Sequence, residues 1–503
     1  MRLKAPALRT SLLLALTAMY LVVAFVIFRP WLTPAGFDIY YYGLQVRSLD
    51  VFGELLFADS SAVYRVLQGI NRVVGDPLLA TRILTAISAA VAYFALLSFA
   101  TRGGVSWYRV GVVTLAVCNP AVFYLQYEFA KNTFALALLL LGLLLMTRPE
   151  ADEPVSRGSV IWYAAGIVTL ILAALSHRIT ALVAGLFVMH LSAGRLLPLV
   201  RKNATARHVG VVVAILAAIG VFIAAVASWS QFNDRLADLA WAAPVMRIQA
   251  MAGSRLSWGE RLFYLSLQIV VPVLVPVILI RKWRPWDSGT LFAIVGWVFV
   301  FPFLGFSWDG IGFRLLILAP IFVGLWLCAR EPGRMGRTLG IVAIVVALGF
   351  TTESAVRMNS SKGPDYALLA RQMTGITDLA RGRRLIAHRG LAGYLWYEHG
   401  IWTENFTPAT GDADRYSRIV YGFTPEILDR YLDPEDAPAV KLPGPYTLVA
   451  EVVWQRFYAE RRDLSFLKSE LNPWLPRPVS GFAINTEAAA ALSPVSQPVG
   501  PEP

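Results

Sequence analysis

Residues 11–28 read SLLLALTAMYLVVAFVIF, eighteen positions without a charge, with Arg2, Lys4 and Arg9 ahead of them and Arg29-Pro30-Trp31 behind. A helix that crosses a bilayer needs about 20 apolar residues, and this run is of that order. A secretory signal looks similar at its start but ends on a pair of small residues that a peptidase can cut. Arg29-Pro30-Trp31 offers no such pair, so the run is read as an uncleaved first transmembrane helix.

Working outward from it, apolar runs recur along the chain, near 78–100, 107–125, 130–147, 159–176, 178–194, 208–228, 261–280, 288–306, 313–329 and 337–353. The fold expected is therefore an all-α polytopic membrane protein with about eleven transmembrane helices. Its composition agrees. Of 503 residues, 56% are hydrophobic and only 16% charged, with a mean hydropathy of +0.56. Soluble domains carry about a quarter charged residues. The net charge of +12 does not indicate a nucleic-acid partner, because the basic residues sit in short connections between spans. Arg102 and Arg109, Arg195 to Arg207, and Arg281 to Arg284 mark alternate ends of successive runs. The positive-inside rule then places the N-terminus in the cytoplasm and everything after about Glu353 on the outer face of the plasma (inner) membrane. Cys118 and Cys328 are the two cysteines and both fall inside apolar runs, too few for a disulfide framework or a zinc site.

Two segments are not membrane. The first outer loop, 29–77, carries helical amphipathic patterns, for instance Val63, Val66, Leu67 and Ile70, of the kind that lies flat at an interface. Beyond residue 354 the composition turns soluble. Leu369 to Leu379 reads as a helix, while Arg384–Ala387 and Tyr446–Val453 read as strands. The domain organisation expected is thus a transmembrane module over 1–354, a small C-terminal α/β extracytoplasmic domain over 355–492, and a disordered tail over 493–503.

Polar residues at the edges of apolar segments carry the functional information. Asp38 stands ten residues past the first span, in Gly36-Phe37-Asp38-Ile39-Tyr40-Tyr41-Tyr42. A carboxylate there can take a proton from a hydroxyl or hold a divalent ion such as magnesium or manganese; equally, an aspartate before a helical run is a common N-cap. Glu128 and Lys131 fall at an outer turn, spaced to pair with each other on one helix face or to leave Lys131 as a point charge for a phosphate. His177-Arg178 interrupts a long apolar stretch, as a polar turn tip or as an acid/base beside a phosphate grip. Asp309 and Arg314 lie in the last short outer loop, as an ion pair or as a cation facing a lipid phosphate. No Walker loop, GxGxxG, GxSxG or HExxH motif is placed where it could work, which excludes a soluble nucleotide-sugar enzyme or an ATP-driven pump.

This pattern resembles the GT-C glycosyltransferases. It shares with them an inside N-terminus, a long first outer loop, many spans and an outer C-terminal domain. The segment 36–42 looks like that family's acidic site, the stretch Asn119-Pro120 through Lys131-Asn132 is similar to the turn after its third span, and Phe313-Arg314 resembles its basic position near the donor phosphate. The resemblance implies transfer of a sugar from a polyprenyl-phosphate donor, with membrane lipids around the site, to a glycan, lipid or protein acceptor. Asp38 would be the catalytic residue and a possible metal holder, Lys131, Arg178 and Arg314 would bind the donor phosphate, and Tyr41, Glu128, His177 and Asp309 would support them. Where many members have two adjacent acidic residues, Ile39 follows Asp38 here, and the WWDYG sequence of oligosaccharyltransferases is absent. Two alternatives stand beside this one. An envelope polysaccharide polymerase or ligase would rely on His177-Arg178 instead of Asp38. A lipid-linked-sugar transporter or flippase would show broken helices and mid-span polar residues.

Overall fold

A computed structural model describes residues 6–28, 39–56, 59, 61–102, 104–147, 157–177, 180–181, 183–190, 263, 266–281, 288–300, 311–330, 333–360, 384–387, 397, 403–405, 419–421, 446–450 and 482–485. These divide into two units. One contains 1–26, 60–63 and 84–354; the other contains 27–59, 64–83 and 355–503.

The helices follow the apolar runs. They are α1 Pro6–Phe28, α2 Ile39–Val51, α3 Val63–Val74, α4 Pro77–Ala100, α5 Trp107–Val117, α6 Pro120–Glu128, α7 Ala130–Met146 and α8 Arg157–Ser176. Helical residues continue at 180–181 and 183–190. After a five-residue π turn at Ser266–Val270 come α9 Val271–Arg281, α10 Ser288–Val300, α11 Ile311–Cys328 and α12 Gly336–Ser360. Among the described residues, Pro77–Ala100 and Gly336–Ala355 are long and apolar enough to cross a membrane, and α1, α7 and α8 contain shorter apolar stretches. Large apolar side chains face outward along these helices, for example Val22 at 62%, Val168 at 57% and Val345 at 62% exposure. Contiguous apolar faces of this size are unstable in water and stable against lipid. The run 208–228 lies outside the described residues.

The expected single span 107–125 is instead two helices, and Asn119 is the reason. Its carboxamide oxygen accepts from the Val122 N–H at 3.1 Å, capping α6, while its Nδ2 donates back to Leu115 O and Ala116 O at the end of α5. One side chain thereby satisfies groups that both helix ends would leave open. Pro120 follows at the first helical position, where its missing N–H costs nothing and α5 cannot run through it.

Small residues set the closest helix crossings of the transmembrane unit. Gly111 of α5 and Gly340 of α12 lie backbone to backbone, and Gly142 of α7 meets Gly166 of α8 in the same way. In lipid there is no hydrophobic drive between helices, so such close approach supplies the attraction. Helix α7 packs along α8, and α11 along both α10 and α5. Tyr20 of α1 and Gln126 of α6 share a buried hydrogen bond, the Gln126 Nε2 donating to the phenol oxygen at 2.8 Å.

In the C-terminal segment the described residues form a five-stranded mixed sheet. Its strands are β1 Arg384–Ala387, β2 Thr403–Asn405, β3 Ile419–Tyr421, β4 Tyr446–Ala450 and β5 Phe482–Asn485, in the order β2-β1-β3-β5-β4. Strand β1 is parallel to β2 and β3, while β5 runs antiparallel to β3 and β4. Two parallel neighbours in succession require crossover connections. The expected helix at 369–379 and the expected tail at 493–503 lie outside the described residues.

Candidate functional site

Two regions concentrate the chemistry, one in each unit. The first is built on α2, whose described residues begin at Ile39, directly after Asp38 in sequence. Asp38 itself lies outside the described residues. Tyr41, half-buried, stands in the first turn of the helix, and Gln45 follows it at the next turn with its Nε2 donating to the Tyr41 phenol oxygen at 3.1 Å. The i, i+4 spacing puts both on one face. Tyr41 meets Tyr42 and Tyr64 edge-on, with ring centroids 5.8 and 6.5 Å away, and Tyr64 donates to Asp59 Oδ2 at 3.1 Å. Burial, and then the proximity of Tyr42, Tyr41 and Asp59, push the Tyr64 phenol well above its ordinary pKa, so it stays a neutral donor. A run of aromatic and hydroxyl groups therefore extends from Asp59 through Tyr64 to the Tyr41 face.

Its rigidity comes from α3 and from Tyr397. Gln68 Nε2 donates to Leu49 O and Asp50 Oδ1, and Asn71 Nδ2 donates to Asp50 Oδ2 at 2.7 Å, pinning the end of α2 to α3. The Arg47 guanidinium lies 3.5 Å from the centre of the Tyr397 ring and donates to the Tyr397 carbonyl. Gly43 lets this happen, since a Cβ there would come within 2.7 Å of both Leu78 and Tyr397.

The second region is in the transmembrane unit. A cavity of about 790 Å³ lies among α5, the π turn with α9, α11 and α12. Val112, Ala116, Leu267, Val271, Gly324 and Phe350 are typical of its wall, and Ser266 and Glu353 are its polar residues. A π turn widens the backbone locally, a distortion found often at functional sites. A wall of this character suits a hydrocarbon chain. Elsewhere in the same unit Lys131, half-buried, is the second residue of α7, so its charge adds to the positive end of that helix. His177, also half-buried, follows α8, its carbonyl accepting from the Ala181 N–H at 2.9 Å. Glu128 ends α6 and Arg314 lies in the first turn of α11; the side chains of both lie outside the described residues, as do Arg178 and Asp309. Among the described residues no group of three or more His, Cys, Asp or Glu stands together to hold a metal ion.

Sequence reasoning missed Gln45, Asp59, Tyr64 and Arg47, which only the folded loop brings together. It also missed Arg82, buried at 6% exposure inside α4. A search for charged residues within spans would have found that one.

No protein-family model matches the chain, and no curated protein is similar to it. Solved structures are. Two crystal structures of ArnT from Cupriavidus metallidurans share its fold. The one bound to undecaprenyl phosphate superposes with a TM-score of 0.50 at 11% identity, covering 89% of this chain and 97% of that one. The one in the apo state gives 0.51 at 12% identity, covering 88% and 96%. At such identity the likeness is one of fold.

Proposed function

We propose that this chain is a membrane glycosyltransferase that moves a sugar from a polyprenyl-phosphate donor to an envelope glycan, lipid or protein acceptor on the outer face of the inner membrane. The observation that carries the proposal is the shared fold over nearly the whole chain with a protein crystallised bound to undecaprenyl phosphate. The apolar cavity among α5, α9, α11 and α12 supports it, being of the right character for a lipid tail.

In the proposed reaction Asp38 removes the proton from the acceptor hydroxyl. The oxygen attacks the anomeric carbon, the bond to the phosphate oxygen breaks with inversion, and the polyprenyl phosphate leaves carrying both bonding electrons. Lys131, Arg178 and Arg314 stabilise that leaving charge; loss of one well-aimed donor in such a site costs on the order of 3 kcal/mol of barrier. Tyr41, whose phenol oxygen accepts from Gln45, supports the site by bonding a sugar hydroxyl, and Glu128, His177 and Asp309 support the cations. Asp38 would also hold a divalent magnesium or manganese ion. Transfer lost on EDTA treatment and restored by either ion supports it; transfer indifferent to EDTA removes it.

The test is complementation. The gene is deleted in its host and restored as wild type or as Asp38→Asn at equal expression, and lipid-linked sugars and envelope glycans are measured by mass spectrometry. Accumulation of a polyprenyl-phosphate sugar in the deletion and in the Asp38→Asn strain, with loss of one glycan, is the expected result. A normal profile with Asp38→Asn makes that residue a helix cap and deprives the mechanism of its base.

A further inference from the structure

The phenol oxygen of Tyr41 is held from two sides. Gln45, 0% exposed, donates to it from Nε2 at 3.1 Å, and the Tyr64 hydroxyl shares a second hydrogen bond with it. Tyr64, also buried, reaches Asp59 Oδ2 at 3.1 Å. Gln45, Tyr41, Tyr64 and Asp59 thus form one hydrogen-bonded chain drawn from α2, α3 and the loop between them. Tyr40 and Tyr42, the neighbours of Tyr41 in sequence, are buried, while Tyr41 is half-buried. Among these rings, Tyr41 keeps part of its surface open.

Joining α2 to α3 does not require this chain. Gln68 and Asn71 of α3 already bind Asp50, Ser48 Oγ donates to Glu54 O at 2.8 Å, and Arg65 donates to Gly53 O at 3.3 Å. Burying a carboxamide as completely as Gln45 is costly and is offset only by its hydrogen bonds. What the chain adds is a fixed place for one hydroxyl oxygen, because a network bonded at each member orders the groups in it. A phenol hydroxyl both donates and accepts, as a sugar hydroxyl does. A site built to bond a hydroxyl rejects analogues that lack it far more strongly than an apolar pocket rejects a change in size. Tyr41 stands three residues after Asp38, the residue proposed above to take the proton of the attacking hydroxyl. A saccharide offers a second hydroxyl beside the attacking one. A serine or threonine side chain does not, and neither does a lipid with one alcohol.

We propose that the acceptor is a saccharide, that Tyr41 binds a second hydroxyl of it beside the one that attacks, and that Gln45, Tyr64 and Asp59 are positioning residues that act through the Tyr41 phenol. The inference rests on the glycosyltransferase function proposed above. It narrows the acceptor from glycan, lipid or protein to a carbohydrate, and it assigns Tyr64 and Asp59 a part in recognition.

The deletion strain is restored with wild type, Tyr41→Phe, Asp59→Asn, Tyr64→Phe, and the doubles that join Tyr41→Phe to each of the other two. Formation of the missing product is followed by mass spectrometry after a switch to isotope-labelled medium, and its rate is divided by the amount of folded protein from fluorescence size exclusion. Tyr41→Phe keeps the ring and is expected to slow transfer about tenfold, the loss of one hydrogen bond to substrate, with smaller losses in Asp59→Asn and Tyr64→Phe. Each double is expected to be no slower than Tyr41→Phe alone, because residues that act through one hydroxyl lose nothing more once it is gone. Asp59→Asn, which keeps the side-chain shape, decides the matter where Tyr64→Phe fails to fold. Single variants at the wild-type rate per folded molecule, or doubles whose losses multiply, overturn the positioning role; a chain that only stabilises the loop lowers the amount of folded protein and not that rate. A product carried on a saccharide hydroxyl supports the acceptor class, and one carried on a protein side chain or a lipid phosphate overturns it. These failures leave the glycosyltransferase proposal standing. A deletion strain that accumulates no polyprenyl-phosphate sugar refutes that proposal, and this inference with it.

Discussion

Replacing Gly111 with alanine tests the packing that shapes the transmembrane cavity. Gly111 of α5 and Gly340 of α12 touch through their backbones, and a Cβ on Gly111 would stand 2.1 Å from the carbonyl oxygen of Gly340 and 2.8 Å from its Cα and carbonyl carbon. A carbon and a carbonyl oxygen rest about 3.3 Å apart, so the two helices must separate by about 1.2 Å. The clash is with backbone, which cannot rotate away as a side chain would. Overpacking of this kind costs about 1–3 kcal/mol, and at about 2 kcal/mol the folded-to-unfolded ratio falls about thirtyfold. Gly349→Ala is the control. It lies on the same helix as Gly340 with nothing within 4 Å of its Cβ, and an alanine at an unstrained helical glycine stabilises by about 0.4–1 kcal/mol. Thermal unfolding of the purified protein in detergent, followed by fluorescence size exclusion, should rank Gly349→Ala at or above wild type and Gly111→Ala well below. Equal transition temperatures for Gly111→Ala and wild type would refute the glycine crossing.

Two further outcomes concern the α2 region. Arg47→Ala removes the cation over the Tyr397 ring and its bond to the Tyr397 carbonyl, together worth about 2–3 kcal/mol locally; limited proteolysis should then cut near residue 397 faster than in wild type, and an unchanged digestion pattern would count against that anchor. Tyr64 stays protonated in the fold to a pH well above 10, so its contribution to stability is full below about pH 10, the unfolded pKa, and drains away as the pH rises beyond that value. Tyr64→Phe should abolish that share of the alkaline loss at a cost of about 1 kcal/mol near neutrality, for the lost bond to Asp59. Alkaline melting curves of the two proteins that run parallel through pH 10–12 would contradict it.

Much of the helical framework is legible in the chain itself. Apolar runs long enough for a bilayer are a local property, so α1, α4, α7, α8 and α12 fall where hydropathy places them. The strands at Arg384–Ala387 and Tyr446–Ala450 likewise follow β-branched and apolar runs. The break at Asn119 is legible in principle, since an asparagine before a proline is a local stop and start signal; the apolar content that continues through it masks that signal. The acidic residue after the first apolar run, and the cations at the turns between later runs, also stand out in the chain alone.

The grouping of residues around α2 is a different matter. Arg47 and Tyr397 are 350 positions apart, and no periodicity links them. Gln45, Tyr41, Tyr64 and Asp59 are separated by a loop whose path decides whether their hydroxyls meet. Hydropathy and spacing act over one or two helical turns, so the sequence by itself determined which segments form apolar helices and where their polar ends fall. Packing acts between segments, through glycines that admit a neighbouring backbone and hydrogen bonds that close only when both partners arrive. The tertiary structure alone therefore decided that α2 lies over the start of α4, that Arg82 is enclosed rather than stretched toward water, and that α5, α11 and α12 leave an apolar cavity between them.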